Sequence, residues 1–344
     1  MQHDNRQLRT AVVGLGRIGW QYHLPQIISN NSFKLVAVVD PLKERLLEAR
    51  ETFTVKGYVD YSEMLRTEKP DLVVIASPTK FHCKQAIEAF EHGSDVFCEK
   101  PVAPSTKEID QIIGAQKRLN RKFMAYQPHR GFSDMVGLQH IISSGVLGDI
   151  YMIKRACSEF RRRNDWQAFL SNGGGMLNNY GAHYIDQLLY LAGSNIVSTQ
   201  CITKNIACLG DADDVVKVVF ETSDGIILDI DINMAAAFEM RPWMVLGSCG
   251  SAVLDESSNV WRVKYFMPEE LKNVSINKEL AAEGRCYTNG EKIPWRLQEF
   301  RLSDFEPVDY YQKCYEYFAC NQKPFVGIEE SRRLIEIIEG CRDC

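Results

Sequence analysis

Short, continuously apolar runs alternate with amphipathic stretches through the first third of the chain. Leu8–Val13, Phe33–Val39, Asp71–Ala76 and Asp95–Cys98 read as strands, and Trp20–Ser29, Lys43–Glu51 and Lys80–Glu91 as helices. Strands that are apolar throughout, rather than at alternate positions, are buried on both faces, as in a parallel sheet. Right-handed crossovers through the helices then give a doubly wound fold.

The pattern changes near residue 125. A helical stretch around Met135–Ser143 leads to a strand at Asp149–Ala156, then to a glycine-rich loop and a long helix over Gly173–Ala192. Strands follow in quick succession at Val197–Leu209, Val215–Glu221, Gly225–Met234 and Trp243–Leu246, with a hairpin turn at Gly250 inside Ser248–Asp255. Strands without intervening helices pair antiparallel, which makes a second domain of α+β type. The expected division is a nucleotide-binding domain over residues 1–124 and a second domain over residues 125–344. Glu269–Pro294 is polar and aperiodic, so it reads as a loop insertion, and Tyr310–Cys320 and Ile328–Glu339 read as closing helices.

Composition narrows the class. With 344 residues, 45% hydrophobic and 25% charged, the chain has material for about two domains and is too apolar to be disordered. A net charge of −5 supplies no basic face for phosphate contacts, so no nucleic-acid partner is expected. Eleven scattered cysteines, an odd number, fit reduced thiols better than a disulfide scaffold. The opening MQHDNRQLRTAVVGLG lacks signal-peptide character, and no apolar run reaches the roughly 18–20 residues of a membrane span. The expectation is a soluble cytoplasmic protein with no membrane partner. Cys341 and Cys344 form one CxxC without the further ligands of a zinc site, so no metal is expected.

The strongest local signal is Gly14-Leu15-Gly16-Arg17-Ile18-Gly19, between a strand and a helix. The first glycine permits a tight turn, the second lets backbone approach a pyrophosphate, and the third allows close helix–strand packing. The helix N-terminus offers free N–H groups to the phosphates. Asp40, at the end of the second strand, stands where a carboxylate meets adenosine ribose hydroxyls. A carboxylate there repels a 2′-phosphate, so NAD is expected over NADP, although Lys43 and Arg45 nearby would soften that preference.

Two further segments carry candidate chemistry. Cys98-Glu99-Lys100-Pro101 ends the fourth strand, where an open parallel sheet binds its ligands. Asn179 and His183 in the glycine-rich helix are four residues apart and share a face. Gly181 between them costs about 1 kcal/mol relative to alanine, which implies close approach of something to the helix.

Taken together, GLGRIG, Ala76–His82 (ASPTKFH), Glu99–Pro101 (EKP), Ser144–Ile150 (SGVLGDI), Gly173–Asp186 and Lys323–Arg333 closely resemble the glucose–fructose oxidoreductase, inositol dehydrogenase and rhizopine catabolism (Gfo/Idh/MocA) family over essentially the whole chain. The resemblance implies an N-terminal Rossmann domain and a C-terminal domain whose large, mostly antiparallel sheet supports a homodimer or homotetramer. It implies a catalytic Lys100 touching substrate and nicotinamide ribose, and His183 as proton acceptor. It also places Ser77, Pro78, His82 and Glu99 among the cofactor-binding residues. The family pattern has aspartate four residues before that histidine. Asn179 stands there instead and cannot raise the basicity of its neighbours by pairing with them.

The residues themselves agree. Oxidising a secondary alcohol removes its hydroxyl proton, and an imidazole accepts protons near neutral pH. A lysine ammonium polarises the same oxygen. Asn179, Arg163 and Trp166 are further substrate candidates, and the resemblance adds Tyr126 and His129, at the start of the second domain; Arg161–Arg163 either cover the pocket or form a surface basic cluster. Asp186 either bonds substrate or satisfies backbone. The expected activity is NAD-dependent oxidation of a secondary hydroxyl on a sugar, glycoside or inositol-like polyol. Two readings stay open beside it: a catalytically silent NAD-binding sensor, and a glycoside-processing enzyme that oxidises the ring transiently.

Overall fold

A computed structural model describes residues 6–274, 276, 278 and 291–342. The first sheet comprises β1 (Leu8–Val13), β2 (Phe33–Val39), β3 (Lys56–Tyr58), β4 (Leu72–Ile75), β5 (Asp95–Glu99) and β6 (Phe123–Tyr126). Its order is β3-β2-β1-β4-β5-β6, and every pairing is parallel. This is the Rossmann order, with a crevice beyond the carboxyl ends of β1 and β4, where the winding reverses. All four residues of β4 are buried, as its unbroken apolar run requires.

The second sheet comprises β7 (Ile150–Ser158), β8 (Ile196–Lys204), β9 (Val215–Thr222), β10 (Ile227–Asn233), β11 (Trp243–Gly247), β12 (Gly250–Asp255), β13 (Val260–Tyr265) and β14 (Arg296–Arg301). The order is β14-β13-β12-β11-β7-β10-β9-β8. All pairings are antiparallel except β7 with β10. In β10, Leu228, Ile230 and Ile232 are buried while Asp229 and Asp231 face outward. Helices Ser133–Ser143 and Ala182–Ala192 cover the apolar face. The indole N–H groups of Trp243 and Trp261 bond Asp134 of the first of these at 2.9 and 3.0 Å.

Three expectations change. β6 runs through the expected boundary at 124, because Phe123–Tyr126 is a fully buried strand paired to β5. The chain also returns: Tyr310, Tyr311, Cys314 and Phe318, on helix Tyr310–Phe318, pack into the first core. Helix Ile328–Arg342 serves both cores, giving Ile328 and Ile335 to the first and Leu334, Ile338 and Cys341 to the second. Finally, the strand expected to reach Leu209 stops at Lys204. The loop beyond it wraps the buried Asp214 carboxylate, which accepts the N–H groups of Ile206, Ala207 and Cys208 at 2.8, 2.5 and 2.6 Å.

Residues 279–290 of the expected loop insertion, and Cys344 of the CxxC, lie outside the described residues. Among the described residues, no helix is long and apolar enough to cross a membrane, and no three His, Cys, Asp or Glu side chains are grouped to hold a metal.

Candidate active site

The glycine loop closes as its spacing predicts. Gly14 has φ +93°, and a Cβ there would lie 2.7 Å from the Ala76 carbonyl and the Ser77 nitrogen. A Cβ on Gly19 would lie 1.9 Å from the Gly14 carbonyl oxygen. At Gly16 the added atom meets nothing within 4 Å, so backbone is open to a ligand there. Arg17 is exposed beside it, and Ile18 leads into the helix through a wide, π-helical turn at Gly19–His23. Open backbone at the second glycine and tight packing at the other two fit a dinucleotide pyrophosphate.

Asp40 is 2% exposed. Its Oδ2 accepts the Leu15 N–H at 2.8 Å and its Oδ1 the Leu42 N–H at 3.0 Å. Arg45 Nη1 lies 3.2 Å from Oδ2. The carboxylate thus grips the glycine loop from the position just after β2.

The loop after β4 is tied to the one after β5. His82 Nε2 lies 2.7 Å from the Ser77 carbonyl oxygen and Nδ1 3.0 Å from that of Pro101. Burial holds this imidazole below its usual basicity, against the opposing pull of those carbonyls. Ser77 Oγ turns to Gln85 Oε1 at 2.5 Å, and Pro78 starts the turn Thr79–Phe81. Glu99 is committed: Oε1 lies 3.1 Å from His23 Nε2, and Oε2 accepts the Lys100 N–H at 3.1 Å. The peptide Lys100–Pro101 is cis.

From this clamp Lys100 reaches across to the second domain. Its Nζ donates to Asn179 Oδ1 and to the Asn179 carbonyl, both at 3.1 Å. That carbonyl lies in a second π-helical turn, Leu177–Gly181, just ahead of helix Ala182–Ala192. Such turns interrupt the regular ladder and recur at functional sites. A Cβ on Gly181 would lie 3.2 Å from Leu177 Cδ1, the movable end of a side chain in the same turn. Burial lowers the Lys100 ammonium to about 8; Glu99 opposes the shift, and the charges of Arg17 and Arg163 add to it.

His183, one helical turn beyond Asn179, is 8% exposed, and its Nδ1 lies 3.1 Å from Gln127 Oε1. Gln127 Nε2 donates to the Ala182 carbonyl at 3.4 Å, which orients the amide oxygen toward the imidazole. The proton therefore sits on Nδ1 and the lone pair on Nε2. The His129 ring stacks on His183 at 3.7 Å, 6° from parallel. Burial, helped by the charges of Lys100 and Arg155, keeps His183 well below ordinary imidazole basicity and takes His129 to about 3. Both rings are neutral at physiological pH. Gln127 belongs to the site and had no signal in the sequence beyond its place at the end of β6.

Arg163 is turned inward with its side chain 14% exposed; Nη1 bonds Gln167 Oε1 and lies 3.8 Å from Asp165. Arg161 pairs with Glu159 at 3.0 Å on the surface, and Trp166 is half exposed. The segment is stitched to the glycine-rich turn, since Gly175 N–H donates to the Gln167 carbonyl at 3.1 Å.

Two expected substrate contacts lie elsewhere. Tyr126 is 3% exposed, its ring edge-on to Tyr310 at 4.8 Å and His23 at 5.0 Å, because β6 is covered on both faces. Asp186 is buried in a bidentate pair with Arg130 at 2.6 and 2.7 Å, and Arg130 also bonds Glu330 at 2.6 Å. Burial pushes the Asp186 carboxyl up while Arg130 pulls it down. A charge so enclosed is spent on holding the helix, not on a sugar.

The chain is similar to known oxidoreductases. A stretch of 191 residues is 31% identical to D-glucoside 3-dehydrogenase of Escherichia coli (strain K12), covering 54% of either chain, so the match spans about half that relative. Inositol 2-dehydrogenase of Corynebacterium glutamicum (strain R) is 24% identical over 239 residues, 68% of this chain and 69% of the relative. In overall fold the protein is similar to an NAD-binding protein from Listeria innocua, with TM-score 0.83 and 24% identity over 98% of this chain and 94% of that one. Residues 8–127 match the oxidoreductase family with an NAD-binding Rossmann fold, and residues 135–253 match the Gfo/Idh/MocA C-terminal domain. The two matches cover more than half of the chain, which belongs to the Gfo/Idh/MocA family of NAD-binding oxidoreductases.

Proposed function

We infer that the protein is an NAD-dependent dehydrogenase acting on a secondary hydroxyl of a sugar, glycoside or inositol-like polyol. The observation that carries this reading is the meeting of Lys100, Asn179 and His183 at one turn, beside the crevice where the glycine loop opens. Bound nicotinamide would supply the hydride acceptor. His183 Nε2 takes the hydroxyl proton, Lys100 donates to the same oxygen as it gains negative charge, and Asn179 holds Lys100 in place. Asp40 supports NAD over NADP, and Arg45 is the residue that would favour a 2′-phosphate. Tyr151, Val197, Ile202 and Leu297, exposed on strands of the second sheet, support self-association through it as a homodimer or homotetramer.

Incubation with NAD⁺ and a panel of sugars, polyols and glycosides should produce NADH, and His183→Ala should abolish it. Tight NAD binding without turnover would favour a sensor, and product release without net NADH would favour transient ring oxidation. NADPH binding tighter than NADH would overturn the cofactor assignment.

A further inference from the structure

Charge in the pocket is unbalanced. Lys100 and Arg163 are joined by one short chain of contacts: Lys100 Nζ to Asn179, the Asn179 N–H to the Gly175 carbonyl at 3.1 Å, the Gly175 N–H to the Gln167 carbonyl, and Gln167 Oε1 to Arg163. Arg155 and Arg17 add their fields at His183 and Lys100 respectively. Against these cations the nearby carboxylates are occupied elsewhere. Glu99 serves His23 and its own loop, and Asp213 Oδ2 accepts the Leu177 N–H at 2.8 Å. Asp165, half exposed, gives Arg163 only a long ion pair at 3.8 Å, which solvent screens. Asn179 is neutral where a carboxylate would have compensated Lys100. Arg163 Nε is buried and makes no hydrogen bond, an uncommon state for a guanidinium donor.

Arg17 belongs to the glycine loop, where a bound dinucleotide pyrophosphate would answer its charge. Arg163 lies in the second domain, in the segment between β7 and the glycine-rich turn, where its side chain bonds Gln167. We propose that the substrate is a sugar carboxylate, of uronate or aldonate kind, whose carboxylate pairs with Arg163 while a ring or chain hydroxyl lies between Lys100 and His183. Planar guanidinium and carboxylate groups match two hydrogen bonds at once, which neutral hydroxyls do not. The Asn179 departure then has a cause: the negative charge enters with the substrate rather than residing on the helix.

This rests on the dehydrogenase reading, but the two fail separately. The test compares methyl α-D-glucoside with methyl α-D-glucuronide, and D-glucose with D-glucuronate and D-gluconate, by NADH formation and by calorimetric binding to the NADH-loaded protein. The acids should be preferred in kcat/KM and in affinity, with binding that weakens as salt rises. Arg163→Gln should cost the acids at least about thirty-fold more than it costs the neutral sugars. Arg163→Lys, which keeps the charge without the planar fork, should fall between, and an unchanged melting temperature separates lost binding from lost folding. Acid binding that depends on Arg163 without NADH formation would keep this inference and sink the dehydrogenase. Neutral sugars that bind or react as well as their acids, no binding by any acid, or an Arg163→Gln loss equal for both classes would overturn it.

Discussion

Replacing Gln127 with glutamate tests whether His183 is the proton acceptor. The substitution puts a carboxylate where an amide oxygen now lies 3.1 Å from His183 Nδ1. Unit charges at that separation attract by about 5 kcal/mol at an effective dielectric near 20. Loss of hydration by the buried carboxylate offsets part of this, and taking half as net leaves about 2–3 kcal/mol. At about 1.4 kcal/mol per pH unit, the protonated imidazole is favoured by roughly 2 pH units. Only neutral His183 can accept a proton, so the acid limb of kcat/KM should move upward by that amount. Activity in Gln127→Glu should therefore be lost at acid pH values where the parent protein still turns over, and hold near pH 8. Gln127→Ala removes the acceptor without adding charge, so its rate should drop with no upward movement of the limb. Profiles from about pH 5 to pH 9 on the three proteins decide the matter. An acid limb that stays in place, or moves down, in Gln127→Glu would show that the reaction does not titrate on His183.

Further outcomes follow from the same geometry. Burial brings Lys100 to about 8, so its donation to the developing alkoxide is present below that pH and lost above it; kcat/KM measured with NAD varied should decline above about pH 8. A rate that instead rises through pH 9 would make Lys100 the proton acceptor. Gly16→Ala should keep its melting temperature but weaken NADH binding, by fluorescence, about tenfold or more, since the new methyl occupies only ligand space. Gly19→Ala must displace the Gly14 carbonyl and should lose stability by about 1–3 kcal/mol in thermal denaturation. Arg130→Met leaves Asp186 charged and enclosed, so urea unfolding should register a loss of roughly 3–5 kcal/mol. A raised sugar KM at unchanged stability would instead return Asp186 to the substrate.

The half of the molecule that binds nucleotide was legible because its strands are covered on both faces, and that condition writes an unbroken apolar run such as LVVI at β4. β14 reads RLQEFR, largely exposed, and its pairing with β13 has no counterpart in composition. The parallel pairing of β7 with β10 joins residues 75 positions apart, as in Met152 with Ile227, and no local pattern encodes it. Motif residues Lys100, Asn179 and His183 were legible as a set. Gln127 was not, because a neutral amide carries no chemistry until a histidine is found 3.1 Å away. Asp186 failed in the opposite sense: its motif position suggested substrate, but its partner Arg130 lies 56 residues earlier in the chain.

Helix Ile328–Arg342 and its neighbour Tyr310–Phe318 reach back to a sheet whose last strand ends at Tyr126. During synthesis, therefore, the nucleotide-binding half emerges long before the side chains that close it. Tyr310, Tyr311, Cys314 and Phe318 arrive more than 180 residues later, and until then the apolar surface they cover faces solvent. The expected consequence is that the early half stays open to aggregation and chaperones until the C-terminal helices arrive, and that the two halves complete their folding together. A fragment ending at residue 127 should accordingly be cut by protease far faster than the same residues within the whole chain. Equal resistance would mean that the first half closes on its own.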